Sequence, residues 1–413
     1  MSTKRLRVCF VIQKLFGLSG GAERVFAQTV TAMAARGMDV EVLVYDTSTR
    51  ALHFDLGDIA VTNVLPSVLR RRSKPGMASS QTPSIVKNLP YGNMFGSLKW
   101  AVTHGMFANR VKRTLHSNPP DVIVAFLPPA ITAAVSAGQA LGIPVIASTH
   151  NLPQEDFGLD SPRWDQNPVY RTRARRALAN ATSITVLQNE FCDWFSYEEQ
   201  ARITVMPNPV MRLSPVPDPV PKREKLIVAV GRLTDVKRMD LLVGAWQQIH
   251  HEFPDWRLEI YGEGPRHDTL TALIAQAGLM GVVKLCGVTA NLGAVYDRTS
   301  LLCHPAAFEG FGLAVAEAMA HGVPAMGFAD CAGINHLISH GSNGFLLQPE
   351  HDRTAVLADG LKEALSQPAH LRTLGDASKD ILQTYQPDKV ASQWFALIQK
   401  TALGHSDHKS ERH

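Results

Sequence analysis

Short apolar runs alternate with longer amphipathic stretches along most of the chain, a pattern typical of α/β proteins. In the N-terminal half, the runs predict β-strands at residues 7–13, 39–45, 121–126, 144–148, 183–187 and 203–206, and helices at 22–36, 129–141 and 168–180. Because helices separate the strands, we expect neighbouring strands to pair in parallel, with helices on both faces of the sheet. Residues 47–100 interrupt the alternation and predict loops and short elements on a surface.

The C-terminal half repeats the alternation more regularly. Its predicted strands are 226–230, 257–261, 283–286, 301–304, 325–327 and 344–347, and its predicted helices are 238–250, 266–278, 312–321, 352–366 and 370–384. Each strand is short and apolar, as expected for a sheet that is covered on both faces. The pattern therefore predicts an α/β protein with two doubly wound Rossmann-like parallel-sheet domains that face each other across a cleft.

Prolines mark the boundary between the two halves. Six of them lie close together, at Pro207, Pro209, Pro215, Pro217, Pro219 and Pro221. Since proline has a fixed φ and no N–H group, this segment indicates a stiff connector rather than a helix or a central strand. It places one domain at 1–206 and a second at 207–384; the alternative is a long surface loop within a single domain.

A last helix is predicted at 388–401. Apolar side chains at Val390, Trp394, Phe395 and Ile398 follow helical spacing. One face of this helix should therefore be buried, and we expect it to pack back on the N-terminal domain. The polar residues 404–413 predict a disordered tail.

Composition excludes several classes of protein. The 413 residues are 45% apolar and 19% charged, which excludes disordered and collagen-like chains. No apolar run approaches the roughly 18 residues that a spanning helix needs. The five cysteines are scattered without a C-x-x-C pair, as is usual for reduced thiols, and we expect a cytoplasmic protein.

Charge is distributed unevenly between the halves. Residues 1–206 hold 22 Lys and Arg against 15 Asp and Glu, whereas residues 207–413 hold 19 against 22. The positive excess is concentrated at 70–74, 87–113 and 171–176. It predicts a contact with an anionic acceptor or with the inner face of an anionic plasma membrane, and a solvated surface is the alternative. No nucleic-acid partner is expected.

Two candidate sites lie in the N-terminal half. Gly20 and Gly21 precede a helix, where they would let the backbone approach a ligand, and the helix N-terminus would offer that ligand free N–H groups. His150 follows a predicted strand directly, so it should lie at the carboxyl edge of the sheet, where ligands of such folds bind. Its imidazole could hydrogen-bond a hydroxyl or accept a proton.

Two further candidate sites lie in the C-terminal half. Arg232 follows a strand and Lys237 comes five residues later, so two cations should meet near the start of a helix, as a diphosphate requires. Glu309 and Glu317 flank the predicted start of another helix. Carboxylates accept hydrogen bonds from hydroxyls, and a helix N-terminus donates them to phosphate. The pattern therefore fits a sugar nucleotide, which carries hydroxyls at both ends and a diphosphate between them.

The motifs that carry these residues resemble a known family over nearly the whole chain. They are GGAERVF at 20–26, STHN at 148–151, MPNPV at 206–210, VGRLTDVKRMDLLVGAW at 230–246, IYGEGP at 260–265 and FEGFGLAVAEAMAHGVP at 308–324. The chain resembles the GT-B glycosyltransferases, and within them glycosyltransferase family 4. The resemblance implies retaining transfer of a hexose-type sugar from a nucleotide diphosphate sugar, with the acceptor on the N-terminal domain.

The resemblance also implies roles for the side chains. Arg232 and Lys237 would neutralise the diphosphate, and Glu309 would contact the hydroxyls of the donor sugar near the reacting carbon. Glu317 would bind the ribose, and His150 would contact and help to position the sugar. These four kinds of contact make up the expected catalytic and donor-binding set.

Backbone groups complete the expected donor site. Phe311, Gly312 and Leu313 would offer N–H groups to sugar or phosphate, and Gly21 would lie under the diphosphate. A UDP-sugar is favoured over a GDP-sugar. The acceptor would be a saccharide or lipid-linked saccharide in the synthesis of bacterial surface polysaccharide, lipopolysaccharide or glycolipid.

Two departures shape these expectations. Many relatives have an acidic residue where Asn335 and His336 stand, which leaves the contacts of that loop open. The chain has no Asp-x-Asp triplet, so we expect no metal and no other cofactor. Two other functions stay open: a GT-B sugar-nucleotide epimerase or sugar phosphorylase, and a non-catalytic protein that binds nucleotide sugars.

Overall fold

The computed structural model describes residues 5–70, 93–161, 163–219 and 221–410. The described strands are β1 (Arg7–Ile12), β2 (Asp39–Val44), β3 (Ala60–Asn63), β4 (Val122–Phe126), β5 (Val145–Ser148), β6 (Ser183–Val186), β7 (Ile203–Val205), β8 (Leu226–Val230), β9 (Arg257–Tyr261), β10 (Val283–Gly287), β11 (Leu301–His304), β12 (Ala325–Phe328) and β13 (Gly344–Leu347).

The described helices follow the strands along the chain. They are α1 (Gly21–Ala35), α2 (Asn93–Trp100), α3 (Met106–Ser117), α4 (Pro128–Leu141), α5 (Pro153–Phe157), α6 (Pro168–Ala179), α7 (Tyr197–Gln200), α8 (Met239–Ile249), α9 (His267–Gln276), α10 (Leu292–Arg298), α11 (Leu313–Ala320), α12 (Arg353–Leu365), α13 (Pro368–Ser378), α14 (Ile381–Thr384) and α15 (Pro387–Ser410). Within the described ranges, none of these helices has the length and apolar character that crossing a membrane would require.

The chain divides into two compact units. The first unit comprises the residues up to Pro207 together with those from Asp388 onward, and the second comprises Asn208 to Pro387. The sequence prediction set this division between residues 206 and 207 and assigned the last helix to the first domain.

Each unit contains one parallel sheet. The strand order is β3-β2-β1-β4-β5-β6-β7 in the first unit and β10-β9-β8-β11-β12-β13 in the second. Every strand pair in both sheets is parallel, and β4, for example, is buried along its whole length. The prediction of two Rossmann-like parallel-sheet domains is confirmed.

The strand order determines where a ligand can bind in each unit. In both sheets the order reverses beside the first strand, between β1 and β4 and between β8 and β11. Loops leave these neighbouring strands in opposite directions, which opens a crevice at their carboxyl ends. The segments that follow β8 and β11 therefore belong to the candidate site of the second unit.

The last helix belongs to the first unit because of its apolar stripe. Trp394 is 2% exposed, and its ring stacks on Phe126 of β4 at 5.8 Å between centroids. Ser183 and Thr401 share a hydrogen bond of 3.1 Å between their hydroxyl oxygens, which joins the helix to β6. Helix α15 thus contributes to the core of the first unit.

The short elements expected within residues 47–100 include β3 and α2. Three other sequence expectations differ from the structure. The single helix expected at 370–384 is divided into α13 and α14. Helix α15 continues to Ser410, beyond the expected start of a disordered tail, while residues 411–413 lie outside the described residues. A single glycine, Gly404, costs a helix only about 1 kcal/mol, so it does not end this one. Proline at 368 favours the first turn of a helix, which explains the earlier start of α13.

Candidate functional site

The turn after β8 carries both predicted cations. Arg232 is exposed, and Lys237 closes the 3₁₀ turn Asp235–Lys237. A Cβ built on Gly231 would lie 3.4 Å from Cδ of Lys237, so the aliphatic stem of the lysine lies along the glycine.

The GEGP stretch at 262–265 supports this turn from below. The N–H of Leu233 donates to the carbonyl of Glu263 at 2.9 Å. A Cβ on Gly262, whose φ is +140°, would lie 1.9 Å from the carbonyl oxygen of Gly231, and one on Gly264 would lie 2.4 Å from that of Leu233. The glycines of this motif therefore serve close backbone packing under the turn that carries Arg232.

The loop after β11 brings Glu309 to Lys237. The Lys237 ammonium contacts Oε1 of Glu309, and the two side chains are only 16% and 17% exposed. Backbone hydrogen bonds fix the loop on both sides: Ala307 N–H donates to Val236 O at 2.8 Å, and Glu309 N–H donates to Ala332 O at 2.7 Å. The structure thus brings together two predicted site residues that are far apart in the sequence.

A third side chain joins this pair. Nε2 of His304, the last residue of β11, lies 2.7 Å from the same Oε1 of Glu309. Sequence reasoning assigned His304 to the end of a strand and did not include it in the site. A histidine at the carboxyl end of a strand, five residues before a candidate acid, is the signal that could have found it.

These partners control the charge of Glu309. Burial alone would raise the pKa of its carboxyl, but the Lys237 charge and the His304 hydrogen bond outweigh that effect and hold the pKa well below its usual range. The pKa of the nearby Cys331 thiol is raised instead, to about 12, by burial and by the negative charge of Glu309. Glu309 is therefore ionised at neutral pH.

Helix α11 begins directly after this loop. Gly312 caps it with a φ of +77°, and a Cβ there would lie 2.6 Å from Cγ2 of Ile334. The first helical hydrogen bond runs from the N–H of Ala316 to the carbonyl of Gly312 at 2.9 Å. The N–H groups before Ala316, among them those of Phe311 and Leu313, therefore make no hydrogen bond within the helix. Glu317 lies further along α11 and is 5% exposed.

The loop with Asn335 and His336 packs against the site from the other side. Gly333 has a φ of +95°, and a Cβ there would lie 2.4 Å from the carbonyl oxygen of Glu309. The ring of His336 lies 5.4 Å from that of Phe311 and 6.4 Å from that of Tyr385, centroid to centroid. Burial lowers the pKa of His336 to about 4, so this ring is neutral and takes part in an aromatic cluster.

The two remaining predicted residues belong to the first unit. Gly21 is the first residue of α1, whose N-cap is Gly20. His150 follows β5, and its ring stacks on Phe126 with 4.3 Å between centroids and 19° between planes. Both therefore lie at the carboxyl edge of the first sheet, as predicted.

A chain of hydroxyls orients His150. Thr185 donates its hydroxyl hydrogen to Oγ of Ser148 at 2.9 Å, and Ser148 Oγ lies 2.8 Å from Nε2 of His150. Because Ser148 accepts from Thr185, its own hydrogen is available to Nε2. Further along the chain, the buried Asp156 of α5 accepts a hydrogen bond from the indole N–H of Trp164 at 2.9 Å, which holds the loop after α5 against this helix.

Some of the basic side chains of the first unit already have partners within it. Arg175 makes a bidentate ion pair with Glu199, at 2.5 and 2.7 Å, and Arg173 lies 3.9 Å over the ring centroid of Trp100. Residues 71–92, which include four of the 13 Lys and Arg side chains in the predicted basic stretches, lie outside the described residues. Across the described part of the chain, no group of three or more His, Cys, Asp and Glu side chains could hold a metal ion.

Comparison with known families covers nearly the whole chain. Residues 20–209 match the family described as "Glycosyl transferase 4-like domain", and residues 214–380 match "Glycosyl transferases group 1". The chain belongs to the glycosyltransferases of family 4, with the GT-B fold. The family predicted from the sequence motifs is confirmed.

Curated relatives of this glycosyltransferase are distant. An uncharacterized glycosyltransferase of Haemophilus influenzae is 30% identical over 42% of this chain and 49% of its own length. An exopolysaccharide phosphotransferase of Streptomyces coelicolor is 25% identical over 92% of this chain and 39% of its own length. The N-acetyl-alpha-D-glucosaminyl L-malate synthase of Bacillus anthracis is 25% identical over 71% of this chain and 68% of its own length. The chain thus spans less than half the length of the first two.

Solved structures share the fold of this glycosyltransferase. HepE from Anabaena, in complex with UDP and glucose, superposes with a TM-score of 0.71 at 18% identity, covering 96% of this chain and all of that one. Sucrose-phosphate synthase from Thermosynechococcus elongatus superposes with a TM-score of 0.75 at 19% identity, covering 96% and 99%.

Proposed function

We propose that this glycosyltransferase moves a hexose from a UDP-sugar to a hydroxyl of a saccharide or lipid-linked acceptor, with retention of configuration. The observation that carries the proposal is the contact of Lys237 with Glu309 where the strand order of the second sheet reverses. A cation and a carboxylate at this point match the two parts of the donor that react, its diphosphate and its sugar. The UDP donor is supported by analogy with HepE, whose complex contains UDP and glucose.

In the proposed reaction, Arg232 and Lys237 bind the diphosphate. The bond between the anomeric carbon and the diphosphate oxygen breaks, and its electron pair leaves with UDP. As charge grows on that oxygen, cations that are already in place stabilise the transition state more than the ground state. In the absence of a donor, Glu309 satisfies the charge of Lys237.

The acceptor hydroxyl forms the new bond. Its oxygen attacks the anomeric carbon on the face from which UDP leaves, and its proton passes to the departing diphosphate. Attack on that face accounts for retention without a covalent intermediate. The hydrogen bond from His304 to Oε1 of Glu309 supports this route, since a carboxylate that accepts a hydrogen bond is a weaker nucleophile.

A screen of UDP-sugars with the purified protein tests the proposal. UDP-glucose, UDP-galactose and UDP-N-acetylglucosamine are incubated with and without sugar acceptors, and released nucleotides are resolved by ion-exchange chromatography. We expect UDP as the nucleotide product and a glycoside with the anomeric configuration of the donor. An inverted glycoside would contradict the retaining assignment.

The same screen separates the competing functions. Release of UMP would indicate transfer of a sugar phosphate instead of a sugar; the Streptomyces relative is named a phosphotransferase. An isomerised UDP-sugar would indicate an epimerase, and sugar release that needs inorganic phosphate would indicate a phosphorylase. Binding of UDP-sugars without any turnover would indicate a non-catalytic partner.

We also propose that the reaction needs no divalent metal, because cationic side chains would neutralise the diphosphate. Turnover of the preferred donor is measured after dialysis against EDTA and after addition of Mg²⁺ or Mn²⁺. Equal rates are expected. Loss of turnover in EDTA with recovery in Mg²⁺ would contradict the proposal.

We propose, finally, that the first unit contacts an anionic membrane. Leu98 and Val102 are 58% and 50% exposed, and they lie in the basic stretch 87–113. An apolar side chain flanked by cations inserts at the boundary between headgroups and acyl chains. The proposal accounts for both a lipid-linked acceptor and the uneven charge.

Co-sedimentation with vesicles tests this contact. We expect binding to vesicles with 30% phosphatidylglycerol, no binding to phosphatidylcholine alone, and loss of binding in the double variant Leu98→Ser/Val102→Ser. Met280→Ser is the control, because Met280 is 68% exposed but lies in the second unit. Equal binding of the double variant and the wild type would remove these side chains from the proposal.

A further inference from the structure

His304 is an unusual residue for its position. It ends β11, whose other residues are Leu301, Leu302 and Cys303, and its side chain is 1% exposed. Burying a polar ring costs free energy unless its nitrogen atoms find partners. An apolar side chain at this position would fill the core equally well, so packing alone does not explain the histidine.

The hydrogen bond to Glu309 shows what the imidazole offers. An ionised carboxylate only accepts hydrogen bonds, so Nε2 carries a hydrogen and donates it to Oε1 over 2.7 Å. Lys237 contacts the same oxygen. Among the described residues Oε2 has no protein donor, and the side chain of Glu309 keeps 17% of its surface exposed. Both protein donors therefore occupy one oxygen, and the other is left for a ligand.

The two donors constrain the carboxylate differently. The lysine ammonium is a point charge at the end of a flexible stem, and it can follow the carboxylate as it rotates. The imidazole is planar and is fixed to a central strand of the sheet, so its N–H has one direction. A carboxylate held by Lys237 alone could exchange Oε1 and Oε2, whereas His304 selects one orientation.

We propose that His304 is a positioning residue for Glu309. By holding Oε1 while Lys237 contacts the diphosphate, it directs Oε2 toward the hydroxyls of the donor sugar. The inference rests on the proposed function, because it is the donor sugar that Oε2 would bind. It adds a specific residue and a specific atom to the family's expected site.

Nδ1 of His304 provides an internal control. This atom is buried and has no hydrogen-bond partner among the described residues. A role of His304 in positioning Glu309 depends on Nε2 alone. Glutamine places its amide nitrogen at about the position of Nε2, whereas asparagine places it at about the position of Nδ1.

The experiment compares His304→Gln, His304→Asn and His304→Leu with the wild type. The release of UDP from the preferred UDP-sugar is measured as kcat and donor KM, and the affinity for UDP alone is measured by calorimetry. We expect kcat to fall about 10- to 100-fold in the Asn and Leu variants, as for a lost hydrogen bond to a charged group. The Gln variant should recover to within a few-fold of the wild type. The Kd for UDP should be the same in all four proteins, because UDP lacks the sugar that Glu309 contacts.

Three outcomes would overturn the proposal. A Leu variant with the turnover of the wild type would show that the hydrogen bond is unimportant. Recovery in Asn rather than Gln would assign the role to the Nδ1 side of the ring. Weaker UDP binding in the variants would show that the ring maintains the fold of the second unit. In each case an active wild type leaves the proposed function intact, whereas a wild type that turns over no donor contradicts the proposed function itself.

Discussion

Lys237 contacts a carboxylate in the structure and a diphosphate in the proposed reaction. Lys237→Ala should lower kcat by about 100- to 1,000-fold, as expected for a donor that acts mainly in the transition state. Arg232→Ala should lower kcat on the same scale. The measurement is the steady-state release of UDP from the preferred UDP-sugar.

Lys225→Ala is the control for this pair of variants. Lys225 also makes an ion pair, with Asp255 at 2.8 Å, but both side chains are more than half exposed. Its removal should leave kcat unchanged, because exposed pairs of this kind contribute little. Full turnover in Lys237→Ala would exclude this ammonium from the chemistry.

Gly333 determines where the backbone of Glu309 can lie. A Cβ at this position would approach Glu309 O to 2.4 Å and Glu309 Cβ to 2.7 Å, so Gly333→Ala must displace the carboxylate. We expect kcat to fall at least about 10-fold, since a displacement of about 1 Å at a reacting centre can cost 100-fold. The matched control is Gly341→Ala.

The control isolates the steric clash from backbone strain. Gly341 has a φ of +72°, comparable to the +95° of Gly333, but a Cβ there would meet nothing within 4 Å. Both variants should lose about 1–2 kcal/mol of stability through left-handed strain, and only Gly333→Ala should lose turnover. Equal turnover in the two variants would disprove the steric argument.

At the scale of elements, Trp394 is the largest buried side chain by which α15 packs on the first unit. Trp394→Ala removes the ring that stacks on Phe126, which in turn stacks on His150. Loss of a buried aromatic ring should lower the free energy of unfolding by about 3–5 kcal/mol. Leu403→Ala, at a side chain that is 63% exposed on the same helix, should change it by less than about 0.5 kcal/mol. Urea denaturation measures both, and equal effects would show that the stack is not important for stability.

The segment before β8 is fastened to the second unit by a buried histidine. Nε2 of His321 accepts from the backbone N–H of Leu213 at 3.0 Å, while Nδ1 lies 2.7 Å from Asp297. This arrangement needs a neutral ring, and burial lowers the pKa of His321 below its usual value despite Asp297. The unfolded chain therefore binds a proton more readily than the folded one. Stability should fall as the pH drops below about 6.5, the ordinary pKa of histidine.

Thermal unfolding of the wild type and His321→Gln at a series of pH values checks this expectation. Glutamine cannot titrate, so its midpoint should depend less on pH between about 7.5 and 5.5. The wild type should lose more of its stability over that interval. Parallel curves for the two proteins would show that His321 is not the titrating group.

For the whole molecule, the sequence predicted what depends on local pattern. The strands of both sheets appear as short apolar runs, and the carboxyl ends of neighbouring strands predicted where Arg232, Lys237 and Glu309 lie. The strand β3 was missed because Ala60–Asn63 is half exposed and alternates weakly. A four-residue edge strand of that kind carries too little hydrophobic signal to be distinguished from a loop.

Specific side-chain contacts were the part that the sequence could not provide. The hydrogen bond of His304 to Glu309 joins residues only five apart, but it depends on the side-chain direction at a strand end. The link of Leu213 to His321 joins residues 108 apart, and it arises only when the fold places the two segments side by side. The packing of Gly333 against Glu309 is similar, since the glycine alone says nothing about which backbone approaches it.

The second unit interrupts the first in the sequence, and its two ends lie side by side. Val210 N–H donates to the carbonyl of Tyr385 at 2.9 Å, so the first and last residues of the unit are neighbours in space. An inserted module of this form can be exchanged as one cassette of DNA, because joining its neighbouring ends to a new host requires no long linker. Swapping residues 208–387 between relatives would test whether the second unit selects the nucleotide and the first unit the acceptor, as the proposed function requires.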